Sequence, residues 1–201
     1  MPRPRDADKA RDLALRAAAV LERDGLTVSA EHLARELGIK RPTLLYHFPT
    51  HGHVVQTALT ELLREQAAFV EARVEAEEHP IDRLYARLCA IHEFHAGRET
   101  RLLFLSQAIA VTGGGRVAEI LQGASDLFEG ARRDMVARVE KGIEDGIVHP
   151  CDARALVALL RAVIDGLTVQ RVTSPRSVVP AQELFWETVL LPLKRSPRRR
   201  K

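Results

Sequence analysis

Lys40, Arg41, Thr43, Tyr46 and His47 crowd basic, hydroxyl and aromatic side chains into eight positions. All of them donate hydrogen bonds. A guanidinium fork matches the O6 and N7 acceptors of guanine, while ammonium, imidazole and phenol groups suit phosphate oxygens. That chemistry is recognition of a nucleic acid rather than turnover. No Ser–His–Asp grouping can be assembled from the sequence, and there is no G-x-S-x-G elbow. The glycine run Thr112-Gly113-Gly114-Gly115 lacks the following Lys-Ser/Thr of a phosphate loop. The expectation is a protein that is not an enzyme and carries no cofactor.

The elements that would position these donors are short helices. Ser29 is placed to cap one that runs through Leu37, with Leu33 and Leu37 inward, and Gly38 ends it. Ile39 plugs the angle, and Pro42 falls in the first turn of the next brief helix, where a missing N–H costs nothing. Two helices joined this way form a helix-turn-helix, whose second helix fits the major groove. An earlier helix over about 8–24 carries Leu13, Ala17, Val20 and Leu21 on one face and stops at Gly25. Pro49 breaks the chain, and a long helix over about 51–77 follows. Further helices are expected over about 80–97, 99–111, a stretch reaching Asp145, 152–172 and 181–193, with loops at 112–115 and 173–177. Period-two alternation is nearly absent, so the fold class is all-α. The division reads as a DNA-binding domain over 1–50, a larger helical body over 51–193 and a disordered basic tail over 194–201.

The chain has 201 residues, 46% apolar and 28% charged, which suits one or two globular domains and excludes general disorder. No apolar run approaches the roughly 18 to 20 residues that span a bilayer, and the charged start has no signal-peptide core. No membrane partner is expected. Cys89 and Cys151 could form at most one disulfide, so a cytoplasmic protein with reduced thiols is the plain expectation. Six of the 30 basic residues lie in the last eight positions; without them 24 positive charges face 27 negative ones. Net charge therefore says little about DNA, and the argument rests on local pattern.

The run Leu33-Ala34-Arg35-Glu36-Leu37-Gly38-Ile39-Lys40-Arg41-Pro42-Thr43-Leu44-Leu45-Tyr46-His47-Phe48 resembles the signature of the TetR family of transcriptional regulators. The resemblance covers about residues 8–59; beyond that, only helix order and Asp165-Gly166-Leu167 are similar. It implies an N-terminal three-helix DNA-binding domain, a larger C-terminal domain for ligand binding and dimerisation, and a double-stranded operator as partner. Such regulators are most often repressors. By position, Ser29 would face a phosphate, and Lys40, Arg41 and Thr43 would approach base edges, with Arg41 the best match for guanine. Tyr46, His47 and His51 would reach phosphates, and Phe48 would be core. Three positions depart from the family pattern. Lys40 replaces a small capping residue, Leu45 a DNA-touching tyrosine, and His51 a phosphate-binding lysine. Through His51, DNA affinity is expected to rise as pH falls.

In the body, Leu156, Leu159, Leu160, Val163, Ile164 and Leu167 form a stripe wider than one buried face needs, and Leu184, Phe185, Trp186, Val189 and Leu190 add to it. This reads as a monomer core or as a homodimer interface through residues 152–193; the resemblance favours the dimer. The resemblance also implies a pocket for an unknown small-molecule effector, apolar or amphipathic, with Tyr85, Cys89, His92, Phe104, Gln107 and Phe128 as candidate ligand-binding residues. Each has an equally good core reading. Cys89, His92 and His95 share one helix face and could contribute to a zinc or copper site, but the outer pair diverges, so packing is preferred and no metal is expected. The rival reading is a helical small-molecule or metal sensor whose specific DNA binding is weak or lost.

Overall fold

The residues described by the computed structural model are 4–98, 101, 117–174 and 177–195; for 4–7 and 117–128 only the backbone course is described. The expected helix over 99–111, apart from Arg101, and the loop at 112–115 lie outside them. So do Phe104 and Gln107 and the end of the chain from 196 onward.

Among the described residues the structure is helical: α1 Pro4–Asp24, α2 Ala30–Glu36, α3 Arg41–His47, α4 His51–Val74, α5 Pro80–Phe94, α6 Val117–Glu144, α7 Ala153–Thr173 and α8 Val179–Phe185. The ends follow from local chemistry. Asp152 caps α7 by accepting from the Ala155 N–H at 3.0 Å, and Pro80 opens α5. The last helix was expected to be continuous, but α8 passes into a π-helical turn, Trp186–Leu190, and a 3-10 turn, Leu191–Leu193. Pro192 lacks the N–H that would continue an α-helical ladder there.

The chain forms two compact units, Met1–Glu65 with Arg98–Ala124, and Gln66–Gly97 with Ser125–Lys201. The first takes in the opening half of α4, beyond the expected boundary at residue 50. Its core gathers Leu13, Leu21, Leu33, Leu44 and Phe48 with Val54, Leu59 and Leu62 of α4. Leu33 and Leu44 are fully buried, each contributing ~1.5–3 kcal/mol of hydrophobic stabilisation. Three helices alone would bury too little, and the α4 side chains close the core. Glu61 is also buried here. Arg64 binds its Oε1 at 2.5 Å, and Arg11 Nε lies 2.6 Å from Oε2 as an ion pair without hydrogen-bond alignment.

In the second unit α5, α7 and α8 enclose a core of Ile81, Leu84, Leu88, Val157, Leu160, Ile164 and Phe185. Val148 and Lys194 form an isolated antiparallel bridge. Lys194 and Arg195, read from sequence as the start of the tail, are tied in. Lys194 Nζ donates to both Asp82 carboxylate oxygens at 2.6 and 2.7 Å, and the Arg195 N–H donates to the Ile147 carbonyl at 2.8 Å.

Candidate nucleic-acid interface

The turn between α2 and α3 is set by hydrogen bonds and one glycine. Ser29 Oγ accepts from the His32 N–H at 3.1 Å and starts α2. At the other end the Ile39 N–H donates to the Ala34 carbonyl (2.9 Å) and the Gly38 N–H to the Arg35 carbonyl (3.0 Å), the double closure of a Schellman motif. Gly38 has φ +68°, which costs an L-residue roughly 1–2 kcal/mol. Arg16 of α1 donates to the Leu37 carbonyl at 2.6 Å and holds the turn from behind.

α3 is anchored by Leu44 and Phe48, as the sequence implied for Phe48, and it contains no acidic residue. Lys40 takes the N-cap position without a side-chain hydrogen bond, so the expected weak cap is what the structure has. Lys40 and Arg41 are exposed, and among the described residues neither makes an ion pair. Thr43 and His47 are half-buried beside them. Tyr46 is 71% exposed, more than any other large hydrophobic side chain among the described residues, and packs edge-on to His47 with ring centroids 5.1 Å apart. Tyr46 therefore gains little from packing and stands next to two cations that form no ion pair among the described residues. Leu45 is half-buried.

His51 differs from the expectation. Its ring turns inward and Nε2–H donates to the Leu26 carbonyl at 2.7 Å, a bond that fixes the tautomer because a carbonyl only accepts. Nδ1 is buried with no hydrogen-bond partner among the described residues. His51 thus ties the start of α4 to the α1–α2 turn, and the exposed side chain of that first turn is His53. Thr50 takes the capping role that the sequence reading left unassigned, its Oγ1 accepting from the His53 N–H at 3.3 Å.

Of the side chains read as an effector pocket, Tyr85, Cys89 and His92 are described, and they pack against neighbouring side chains. Tyr85 stacks on Trp186 at 4.8 Å, and burial with a bonded Cys89 pushes its hydroxyl pKa up to about 12. Burial likewise raises the Cys89 thiol. His92 is buried between three helices: its Nδ1 accepts from Gln182 Nε2 at 2.7 Å, and its Nε2 lies 3.3 Å from the Ile164 carbonyl. Burial lowers its pKa. His95 turns to Gln66 at 3.0 Å, so Cys89, His92 and His95 do not converge, and among the described residues no cluster could hold a metal. Phe128 lies on α6, where only the backbone is described.

Within the second unit, a cleft of about 340 Å³ lies elsewhere, between the last turn of α4, α5 and α6. Val74, Leu84 and Met135 form its apolar floor, with Arg83, Arg87 and Arg138 around the mouth. Helical periodicity shows that Arg83 and Leu84 stand on adjoining faces, but not that α6 leaves a gap over them.

Neither a family profile nor any curated protein sequence matches the chain. Solved structures do. A TetR transcription regulator from Haloarcula marismortui matches with a TM-score of 0.76 at 17% identity, over 94% of this chain and 100% of that one. The TetR-family regulator PfmR from Thermus thermophilus matches at 0.69 and 17%, over 91% and 99%. AibR, crystallised with isovaleryl coenzyme A and operator DNA, matches at 0.62 and 16%, over 92% and 97%. At these identities the likeness is one of architecture: the chain has the all-helical TetR fold, with an N-terminal helix-turn-helix and a helical C-terminal part.

Proposed function

We propose that the chain is a ligand-responsive transcriptional regulator, acting as a repressor, which binds a pseudopalindromic operator as a homodimer. The observation that carries this reading is the outward start of α3. Lys40 and Arg41 stand exposed, without ion pairs among the described residues, at the start of a helix free of carboxylates, with Tyr46 beside them. Arg41 reads a guanine, Lys40 and Thr43 neighbouring base edges, and Tyr46, His47 and the Ser29 hydroxyl hold phosphates, assisted by backbone N–H groups at the start of α4. AibR, of the same fold, was crystallised with operator DNA and an acyl-coenzyme A, which supports both halves of the reading.

The self-partner is the α7–α8 face. Leu159, Val169 and Leu184 are 46%, 60% and 60% exposed, beside a groove of about 370 Å³ lined by Val163, Leu167 and Phe185. Burial of that apolar surface against its own copy builds a four-helix contact about a two-fold axis. Two recognition helices then meet half-sites about 34–36 Å apart, or a multiple of that. The chain binds rather than turns over its ligand. α4 runs from the first core to the cleft at Glu71 and Val74, so a ligand that favours a shifted α4 lowers operator affinity.

Fluorescence anisotropy on the chain's own upstream DNA and on a scrambled duplex, over a salt series, tests this. The expected result is discrimination of about 10³ or more. Equal affinities that collapse together with salt would instead favour the second reading, a helical sensor with weak DNA binding. Two features favour that reading: the inward His51 ring and Leu45, which together remove two DNA contacts.

A further inference from the structure

We infer that the cleft between α4, α5 and α6 is an anion-recognition site that takes a small amphipathic carboxylate or phosphate, its charged end on Arg83 and Arg138 and its apolar end on Val74, Leu84 and Met135. The charge balance at the mouth is what selects the class. Arg87 is spent on Glu71, with which it pairs at 2.9 Å, and its side chain is only 16% exposed. Asp134 also lies at the mouth and is exposed. The Arg83 and Arg138 side chains make no ion pair or hydrogen bond among the described residues, and Asp134 forms an ion pair with neither. The local sum is thus one uncompensated positive charge after Asp134 is set against the two free arginines.

Arg83 is moreover half-buried. A guanidinium carries five N–H donors and no acceptor, so removing it partly from water without a partner is unfavourable, and an arriving oxyanion relieves that cost. Planar bidentate geometry suits both carboxylate and phosphate oxygens. Val74 and Leu84, 4% and 1% exposed, lie behind the arginines, and half-buried Met135 offers an adaptable thioether. A volume of about 340 Å³ is at the low end of small-molecule sites, which excludes a large ligand held entirely inside. A cationic ligand fits poorly, since Glu71 is already neutralised and the free charges repel it.

The identity of the occupant as an effector rests on the regulator reading above; its binding to the protein does not, and the two are measured separately. Calorimetric titration of the full chain, without DNA, compares octanoate, octyl phosphate, octanol and octyltrimethylammonium, which share one tail and differ in head. The proposal expects octanoate or octyl phosphate to bind at least about tenfold more tightly than octanol, and octyltrimethylammonium not to compete. Whichever of the two anions is the tighter tells carboxylate from phosphate. The Arg83→Gln/Arg138→Gln variant should lose about 10- to 100-fold for the anion and nothing for octanol. Both side chains are partner-free, so this variant keeps its fold; Arg154→Gln, exposed on α7, serves as the control and binds as wild type. Octanol binding as well as octanoate, unchanged anion affinity in the double variant, or preference for the quaternary ammonium would each overturn the assignment. Anion binding with no change in operator affinity would keep the site and count against its role in regulation.

Discussion

Gln182 and His92 are 5% and 3% exposed, and each is the other's principal buried polar partner. Gln182→Leu keeps the side-chain volume but deletes the donor at 2.7 Å, leaving His92 Nδ1 as a buried acceptor without a partner. Such an orphan costs ~1–3 kcal/mol. A chain of this length shifts by about 2–4 °C per kcal/mol, so the unfolding midpoint should fall by roughly 2–12 °C. His92→Leu orphans the Gln182 amide instead and should cost a similar amount. In the double variant neither orphan exists, and apolar replacement of both partners is expected to lie within about 1 kcal/mol of wild type. The chain has one tryptophan, Trp186, in the same unit and stacked on Tyr85, so its fluorescence reports this core directly. A double variant that loses the sum of the two single losses would refute the reasoning, because the pair would then contribute packing alone.

Three other perturbations have definite outcomes. Burial holds the His92 pKa below its ordinary 6.5, so as pH falls past that value the unfolded chain takes up the proton first. The contribution of neutral His92 is complete above 6.5 and is lost below it. Wild-type midpoints between about pH 7.5 and 5 should therefore fall more steeply than those of the double variant, and parallel slopes would exclude His92 as a cause. A Cβ at Gly142 would lie 2.7 Å from Val148 Cγ2 and 2.9 Å from Pro80 Cγ. Gly142→Ala should thus destabilise by up to about 2 kcal/mol in chemical denaturation, overpacking of ~1–3 kcal/mol outweighing a helix gain of ~1 kcal/mol; a stabilised variant would contradict the packing there. Leu184→Glu, on the exposed α8 face, should give a monomer by light scattering with a nearly unchanged Trp186 transition, whereas a persisting dimer would place the interface elsewhere.

The helix-turn-helix segment was legible because what fixes it is local. Ser29, Gly38 and Pro42 act within four residues of themselves, Leu33 and Leu37 needed only helical period to be placed inward, and the family resemblance placed Phe48 in the core. His51 misled because its partner, the Leu26 carbonyl, is a backbone group 25 residues away that no side-chain pattern announces. Buried Glu61 escaped notice for a similar reason, since Arg11 reaches it from another helix. On α5 the period put Cys89, His92 and His95 on one face but could not say what covers it. Tyr85 is covered by Trp186 and His92 by Gln182 of α8 and the Ile164 carbonyl of α7, while Arg83 and Leu84 face the cleft. Pocket position is decided by where α6 and α7 pass, 45 to 80 residues downstream, about which the α5 sequence carries no signal.

The most direct test of the account is selection of duplexes from random DNA by the purified protein, followed by affinity measurement on the selected site for wild type and Arg41→Ala. The account predicts two inverted half-sites one helical turn or a multiple apart. The Arg41→Ala variant should lose about 1–3 kcal/mol and with it the preference for guanine at one position per half-site. Enrichment of no sequence, or a selected site that Arg41→Ala binds as tightly and as selectively as wild type, would contradict the claim that α3 reads DNA.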